Sequence, residues 1–415
     1  MAAEAKRVEY MGKRAVVLAN ENVVTILEAT GGMVPVFGAR RGASVLNAHW
    51  IPDFRDASGT PYDEAVHGPY WKVKLLHHIA GDFPCVPSFG GACVVDGVEQ
   101  PVHGWGANEE WAAEAVEVEP SSGAAFARSV LRCPSPAGMP LRFEKLDFLL
   151  PGEPAYYSFI RVQNSGDRPI SINLVRHNTA GAPFLAPGCR LSVSADRFMA
   201  APTGTEFDPT GRLAQGGEFR SLSKAPLRGG GTVDLRELPG MIGHSDFVMG
   251  AVPEKAALGW SCVVNPRLKL AYVCFFPGLP GLPEEEVAGS FNELWLQHGG
   301  RVGAPWSLYE GGFDRVYCLG TENGTSSFNL GLGYARQNPV LLGRPTIFEV
   351  PAHGSRTFAY GTAMVAVDKL GREDVQAIEP EKGAMVLKGK KASQRVPVGA
   401  DFARARELVS RLGWT

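Results

Sequence analysis

The sequence predicts an all-β protein: one large antiparallel domain of packed sheets that ends in a short helix. Three observations predict it. Short runs of alternating or β-branched apolar residues recur from end to end, at the period of two that turns one strand face toward a core. Glycine (50) and proline (31) are abundant, as turns between many strands require. Good amphipathic helical periodicity is confined to the end of the chain.

In chain order, strands are predicted over 14–18, 23–27, 115–119, 141–149, 157–162, 170–175, 269–275 and 346–350. Most are bounded by turn chemistry such as Asn164-Ser-Gly-Asp-Arg-Pro169. Within 141–149, Leu141 and Phe143 alternate with Arg142 and Glu144, and then Leu146 and Phe148 take the opposite phase. That slip at Glu144–Lys145 predicts a bulge. Residues near 229–231 read as a surface loop, and the basic run 388–395 as a solvated one. A short helix is expected over 372–378. A better one is expected over about 400–412, with Asp401 as cap and Phe402, Ala405, Leu408 and Leu412 on one face. No composition break divides the chain, so 1–415 reads as one domain, with a core over about 15–365 and an extension over 366–415.

Charge excludes several function classes. With 41 basic and 43 acidic residues the net charge is -2, which gives no footprint for nucleic acid and no polybasic membrane surface. Seven cysteines form no Cys-x-x-Cys or Cys-x-x-His spacing and read as reduced, buried thiols. The first residues lack the apolar stretch of a signal peptide, and no run approaches the length of a membrane span. The expectation is a cytoplasmic protein without a membrane role.

The most informative chemistry lies in 101–111, Pro-Val-His-Gly-Trp-Gly-Ala-Asn-Glu-Glu-Trp. Indoles can stack on the apolar face of a pyranose while His103 and Asn108 bond its hydroxyls, and the glycines let backbone approach a ligand. His177 follows a predicted strand, and Glu322 lies between Gly320 and Gly324 after another. Together they offer an acid and a base. Taken singly, each also fits a routine structural role. Asp246 fits an Asx turn as well as a substrate contact. His77 and His78 are adjacent and, on a strand, would face opposite ways, so no metal site is expected. There is no nucleophile elbow, phosphate loop or dinucleotide fingerprint.

These segments carry a resemblance to the aldose 1-epimerase (galactose mutarotase-like) superfamily, spanning about residues 15–365. Residues 101–111 resemble its His-Gly-Phe/Leu-x-x-Asn-x-x-Trp segment, particularly in the hexose-6-phosphate mutarotase branch. Gly81-Asp-Phe-Pro-Cys-Val-Pro-Ser-Phe-Gly90 resembles the Gly-Gly-x-Pro-x-x-Phe-Pro-x-Phe-Gly of that branch. Arg176-His177 with Gly181-Ala-Pro-Phe184 is similar to the segment that bears the catalytic His, and Leu319-Gly-Thr-Glu322 to the one that bears the catalytic Glu. The resemblance implies a β-supersandwich and a cofactor-independent mutarotase. In it Glu322 is the base at the anomeric hydroxyl, His177 the acid at the ring oxygen, and His103 a substrate-binding group. Asp246 takes the place of a substrate-binding Asp. Trp50, Trp105, Trp111 and Trp306 are stacking candidates, whereas Trp260 and Trp295 read as core.

One departure bears on the substrate. The family's Arg before the Gly-x-Pro segment is replaced by His78-Ile-Ala-Gly81, and Ala107 stands where the phosphate branch has an Arg. Arginine forks suit phosphate, so a free, unphosphorylated sugar is expected, with His78 a partial substitute for the Arg. A lyase or isomerase that has borrowed the fold, or a non-catalytic sugar-binding module, are the rival readings. The sequence leaves a homodimer open.

Overall fold

A computed structural model describes residues 3–133, 135–240, 242–307 and 316–414. Two large sheets dominate. The front sheet runs Glu218–Phe219, Arg197–Ala200, His244–Ala251, Phe291–His298, Tyr317–Thr325, Leu174–Arg176, Pro84–Cys85, with Thr179–Ala180 also on Tyr317–Thr325. The back sheet runs Arg190–Val193, Leu258–Asn265, Leu270–Pro277, Ser355–Ala366, Ala155–Asn164, Leu141–Leu149, Ala125–Arg132, Glu110–Val118. Neighbouring strands in both are antiparallel. An N-terminal meander of five strands, Glu4–Tyr10 to Ser44–Asn47, completes the main body.

The cores follow from strand alternation. Between the sheets, Leu294, Leu296 and Leu319 of the front meet Tyr272, Cys274, Phe276 and Tyr360 of the back. The outer face of the back sheet is also covered. Val273, Phe275, Phe148 and Phe159 pack under Val398, Phe402, Ala405 and Leu408 of the C-terminal extension. Phe402 alone meets the Phe275 ring at 5.4 Å and the Tyr157 ring at 5.9 Å. A fully buried Phe contributes about 1.5–3 kcal/mol, so the extension is anchored by its own core.

This double cover explains where the sequence reading fails. Leu141–Leu149 has no bulge, and its register is unbroken against both neighbours. Its change of phase arises because Leu141 and Phe143 face the inter-sheet core while Leu146 and Phe148 face the extension. Lys145 and Asp147 share the inner face as a buried ion pair at 2.9 Å. The register shift lies next door, at Arg128/Ser129 against Glu110–Val118.

The C-terminal helix is Ala403–Arg411. Left-handed Phe402, not Asp401, occupies its cap position, although Asp401 Oδ1 still accepts the Ala403 N–H at 3.3 Å. No helix forms over 372–378, which leads into the strand Ala377–Glu381. The basic run is a hairpin, with Lys388 and Arg395 on its strands paired to Glu379 and Glu381.

Three short helices were not foreseen: Glu64–Trp71, Lys74–His78 and Gly331–Gln337. The first is capped by Asp63, which accepts the N–H groups of Ala65 and Val66. Gly68 and Pro69 inside it obscure its helical pattern. His77 and His78 therefore lie on a helix rather than a strand. Cys85, Cys189, Cys262 and Cys274 are buried and unbridged. Among the described residues, no helix is long and apolar enough to cross a membrane.

Candidate active site

The face of the front sheet that points away from the back sheet carries the site. Register places Phe247 opposite Trp295, Met249 opposite Glu293, and Glu293 opposite Glu322. Directly opposed residues share a face, so one surface bears Phe247, Trp295, Glu293 and Glu322. His177 joins it from just beyond Leu174–Arg176, its N–H donating to the Phe83 carbonyl at 2.9 Å. Segments 72–79, 89–91, 102–103, 204–207, 301–306 and 329–330 wall in a cavity of about 460 Å³ above this surface.

His177, Glu322 and His103 all line that cavity. His177 Nε2 stands 3.6 Å from Glu322 Oε1, outside hydrogen-bond distance. The His177 ring is stacked on Phe83 (4.4 Å, 15°) and edge-on to Trp295 (5.7 Å), and its Nδ1 lies 3.2 Å from Thr179 Oγ1. The His103 ring stacks on Phe89 at 4.8 Å and meets His177 at 5.0 Å. His103 is left-handed (φ 61) and locked to Gly90 in both directions. Its N–H donates to the Gly90 carbonyl at 2.8 Å, and its Nδ1 accepts the Gly90 N–H at 3.1 Å. In the neutral ring the proton is therefore on Nε2.

Burial decides the charge states. It pushes His177 well below the usual histidine range, with His103 adding to the effect. Burial also lowers His103 to about 4, partly opposed by Glu206. Glu322 is driven well above the carboxylate range, by burial first and then by Glu293 and Glu206. Burial thus favours the uncharged form of each group, Glu322 with its proton and His177 without one, the reverse of the starting protonation that the family resemblance implies. One acidic proton and one free base remain, 3.6 Å apart.

Other expected residues lie elsewhere. Asp246 is one position out of phase with Phe247 and turns to the opposite face. There it accepts the N–H groups of Arg212 and Leu213 and pairs with the Arg212 guanidinium at 3.2 Å. His78 is buried, its Nε2 3.0 Å from the Ala107 carbonyl. Trp111 is core and donates to the Gly106 carbonyl, and Trp105 packs edge-on to Phe143. Asn108 braces the loop that carries His103, donating to the carbonyls of Val102 and Gly104 at 2.7 Å each. Trp50 stands behind the wall, edge-on to Trp295 at 5.8 Å. Of the tryptophans expected to stack, only Trp306 lines the cavity.

Trp295, expected in the core, lines the cavity instead, and its Nε1 is buried without a partner. Its strand, Phe291–His298, is buried on both faces, so alternation alone could not separate core from cavity. Arg301 and Glu206 were not foreseen. They pair at 2.9 Å on the cavity wall, with the guanidinium 4.4 Å from the Trp306 ring. Both come from irregular segments that carry no periodic signal.

Gly320 sets the place of the carboxylate. A Cβ there would meet Glu322 Oε1 at 2.6 Å and Trp295 Cβ at 2.8 Å. Trp295 Cβ is tied to its backbone, so the carboxylate must move. Gly320→Ala is expected to slow any chemistry at Glu322 by about 10–100-fold, because small misplacements of reacting groups are costly. Single-turnover kinetics would check this, and a fully active variant would show that the contact is tolerated.

Comparison with known proteins agrees with this geometry at the level of the fold. No family model matches the chain, and no curated protein matches it by sequence. Solved structures do. An aldose 1-epimerase candidate from Klebsiella pneumoniae subsp. pneumoniae MGH 78578 is 15% identical at a TM-score of 0.57, over 85% of this chain and 79% of that one. A galactose mutarotase-like protein from Clostridium acetobutylicum is 11% identical at 0.56, over 88% and 99%. A TPR-domain containing protein from Parabacteroides distasonis ATCC 8503 is 10% identical at 0.52, over 85% of this chain and 47% of that one. The chain is an all-β sandwich with a galactose mutarotase-like fold.

Proposed function

We propose that this protein is an aldose 1-epimerase-type isomerase that interconverts the α and β anomers of a free, unphosphorylated sugar. The observation that carries the reading is the pair His177–Glu322, 3.6 Å apart on the wall of a cavity that also holds His103. Ring opening of a hemiacetal takes one proton from the anomeric hydroxyl and gives one to the ring oxygen. Both oxygens sit on one carbon, so an adjacent acid and base suffice without a cofactor.

From the protonation that burial favours, His177 Nε2 takes the anomeric proton as Glu322 donates to the ring oxygen. The C1–O5 bond breaks, leaving an aldehyde beside an imidazolium–carboxylate pair. Rotation about C1–C2 presents the other carbonyl face. Reclosure then runs in reverse, with Glu322 taking the proton of the ring-forming hydroxyl and His177 returning one to the carbonyl oxygen, so each residue serves the opposite oxygen from the one the family resemblance implies. His103 Nε2 is free to donate to a sugar oxygen, and Trp295 and Trp306 offer stacking faces. Arg301 is already engaged by Glu206, which supports a ligand without a phosphate.

Exchange spectroscopy of glucose, galactose and other aldoses tests this. Faster exchange between anomer signals at catalytic protein concentration is the expected result. Binding without faster exchange would indicate a carbohydrate-binding module instead. A new product that is not an anomer would indicate a lyase or another isomerase.

A further inference from the structure

His177 and Glu322 face each other by strand register, across a break in the strand pairing. Leu174–Arg176 and Thr179–Ala180 both pair with Tyr317–Thr325, Arg176 opposite Asn323 and Thr179 opposite Gly320. One step in from each side puts His177 opposite Glu322 and Asn178 opposite Thr321. The Thr321 N–H donates to the Asn178 carbonyl at 2.8 Å. The N–H groups of His177 and Thr179 turn the other way, to the carbonyls of Phe83 at 2.9 Å and Gly81 at 3.1 Å. His177 and Glu322 thus form a pair of the non-hydrogen-bonded kind, in which opposed side chains come closest.

The side chains of Asn178 and Thr321 alternate to the opposite face, into the core between the sheets. Asn178 is wholly buried there, and its amide is held from three sides. Nδ2 donates to the Tyr360 hydroxyl at 2.6 Å. Oδ1 accepts the Tyr272 hydroxyl and, at 3.3 Å, the Thr321 hydroxyl. The Tyr272 hydroxyl in turn lies 2.9 Å from His49 Nε2. Both tyrosines belong to the back sheet, on Leu270–Pro277 and Ser355–Ala366. Apolar side chains could fill this space without the cost of burying polar groups. What a satisfied network adds is direction, because bonds to fixed hydroxyls allow the amide one placement.

We propose that Asn178 is a positioning residue, which through Tyr272 and Tyr360 ties the reacting pair to the back sheet and fixes His177 opposite Glu322. Asn178 follows His177 in the chain, and its bonding partner Thr321 precedes Glu322. A displacement of the amide therefore moves both reacting groups, although Asn178 itself faces away from the cavity. The inference rests on the acid–base pair of the proposed reaction, and it holds whichever of the two carries the proton at the start.

The histidine ring nitrogen signals of the isotope-labelled full-length protein provide the test by NMR, and no sugar is needed. The signals absent from His177→Asn belong to His177. Glu322→Gln is expected to move them, because the carboxyl lies 3.6 Å from Nε2. Made on an Asn178→Leu background, the same change is expected to move them at most half as far. This double comparison cancels the direct effect of the Asn178 substitution. Tyr360→Phe, on the other sheet, covers failure of the first variant to fold and should weaken the response in the same direction. A response that stays full in either folded variant would overturn the proposal, since a network serving stability alone would lower the melting temperature and leave the response untouched. So would His177 signals that ignore Glu322→Gln in the starting protein. On the isomerase reading, Tyr360→Phe should also lower kcat for anomer exchange by about tenfold with KM little changed, as misplacement of reacting groups does. Absence of anomer exchange in the starting protein would count against that reading and leave the NMR result standing.

Discussion

Replacing Glu322 with Gln is expected to slow anomer exchange by about 10²–10⁴-fold, the usual contribution of a positioned acid or base. His177→Asn should do the same. Each change keeps the shape of the side chain and removes its proton chemistry, so sugar affinity should stay within about an order of magnitude of the starting protein. The double variant should be scarcely worse than either single one, because the two groups act as a unit. Glu322→Gln should leave the stability nearly unchanged, since it keeps the shape of a buried side chain whose neutral form burial already favours.

The pH profile has a determined sign. The active form needs His177 neutral and Glu322 protonated. Burial depresses the first group well below the histidine range and raises the second well above the carboxylate range. Activity should therefore be level across neutrality, falling in acid as His177 gains a proton and in alkali as Glu322 loses one. A rate that survives in both single variants would remove the acid–base pair from the mechanism.

The class of fold was legible because short β-branched and aromatic runs bounded by turn residues mark strands even in a sheet covered on both sides, as at Ala155–Asn164 and Leu270–Pro277. What failed, where both faces are buried, was the assignment of each face. Leu141–Leu149 changes phase without a bulge because the extension covers its outer side, and Trp295 is hidden in a strand buried throughout. His103, His177 and Glu322 could be singled out because glycines and strand ends mark close approach and open edges. Asp246 was misplaced by a single residue of register, enough to turn it to the other face. Arg301 and Glu206 reach the cavity through tertiary folding of irregular segments, which no local pattern encodes. Glu293 is visible only through strand pairing, as the partner of a residue 29 positions later.

The largest stability effect is expected at the ion pair beneath the site. Arg176 and Asp82 are wholly buried and meet at 2.6 Å, with the guanidinium 5.3 Å from the Tyr360 ring. Arg176→Met leaves the Asp82 carboxylate in the core without its partner. Breaking such a pair costs about 3–5 kcal/mol, which denaturant unfolding at neutral pH would measure. Arg176→Met with Asp82→Leu removes both charges and should recover most of that loss, since an apolar pair often replaces a buried ion pair at little cost. The two residues also frame the site. Asp82 precedes Phe83, which stacks on His177 and accepts its N–H, and Arg176 precedes His177 itself. If the pair only neutralises buried charge, the double variant should regain anomer exchange along with stability. If it also fixes the stacked Phe83–His177 unit, the double variant should be stable yet slow, because the ring loses its anchored neighbours on both strands.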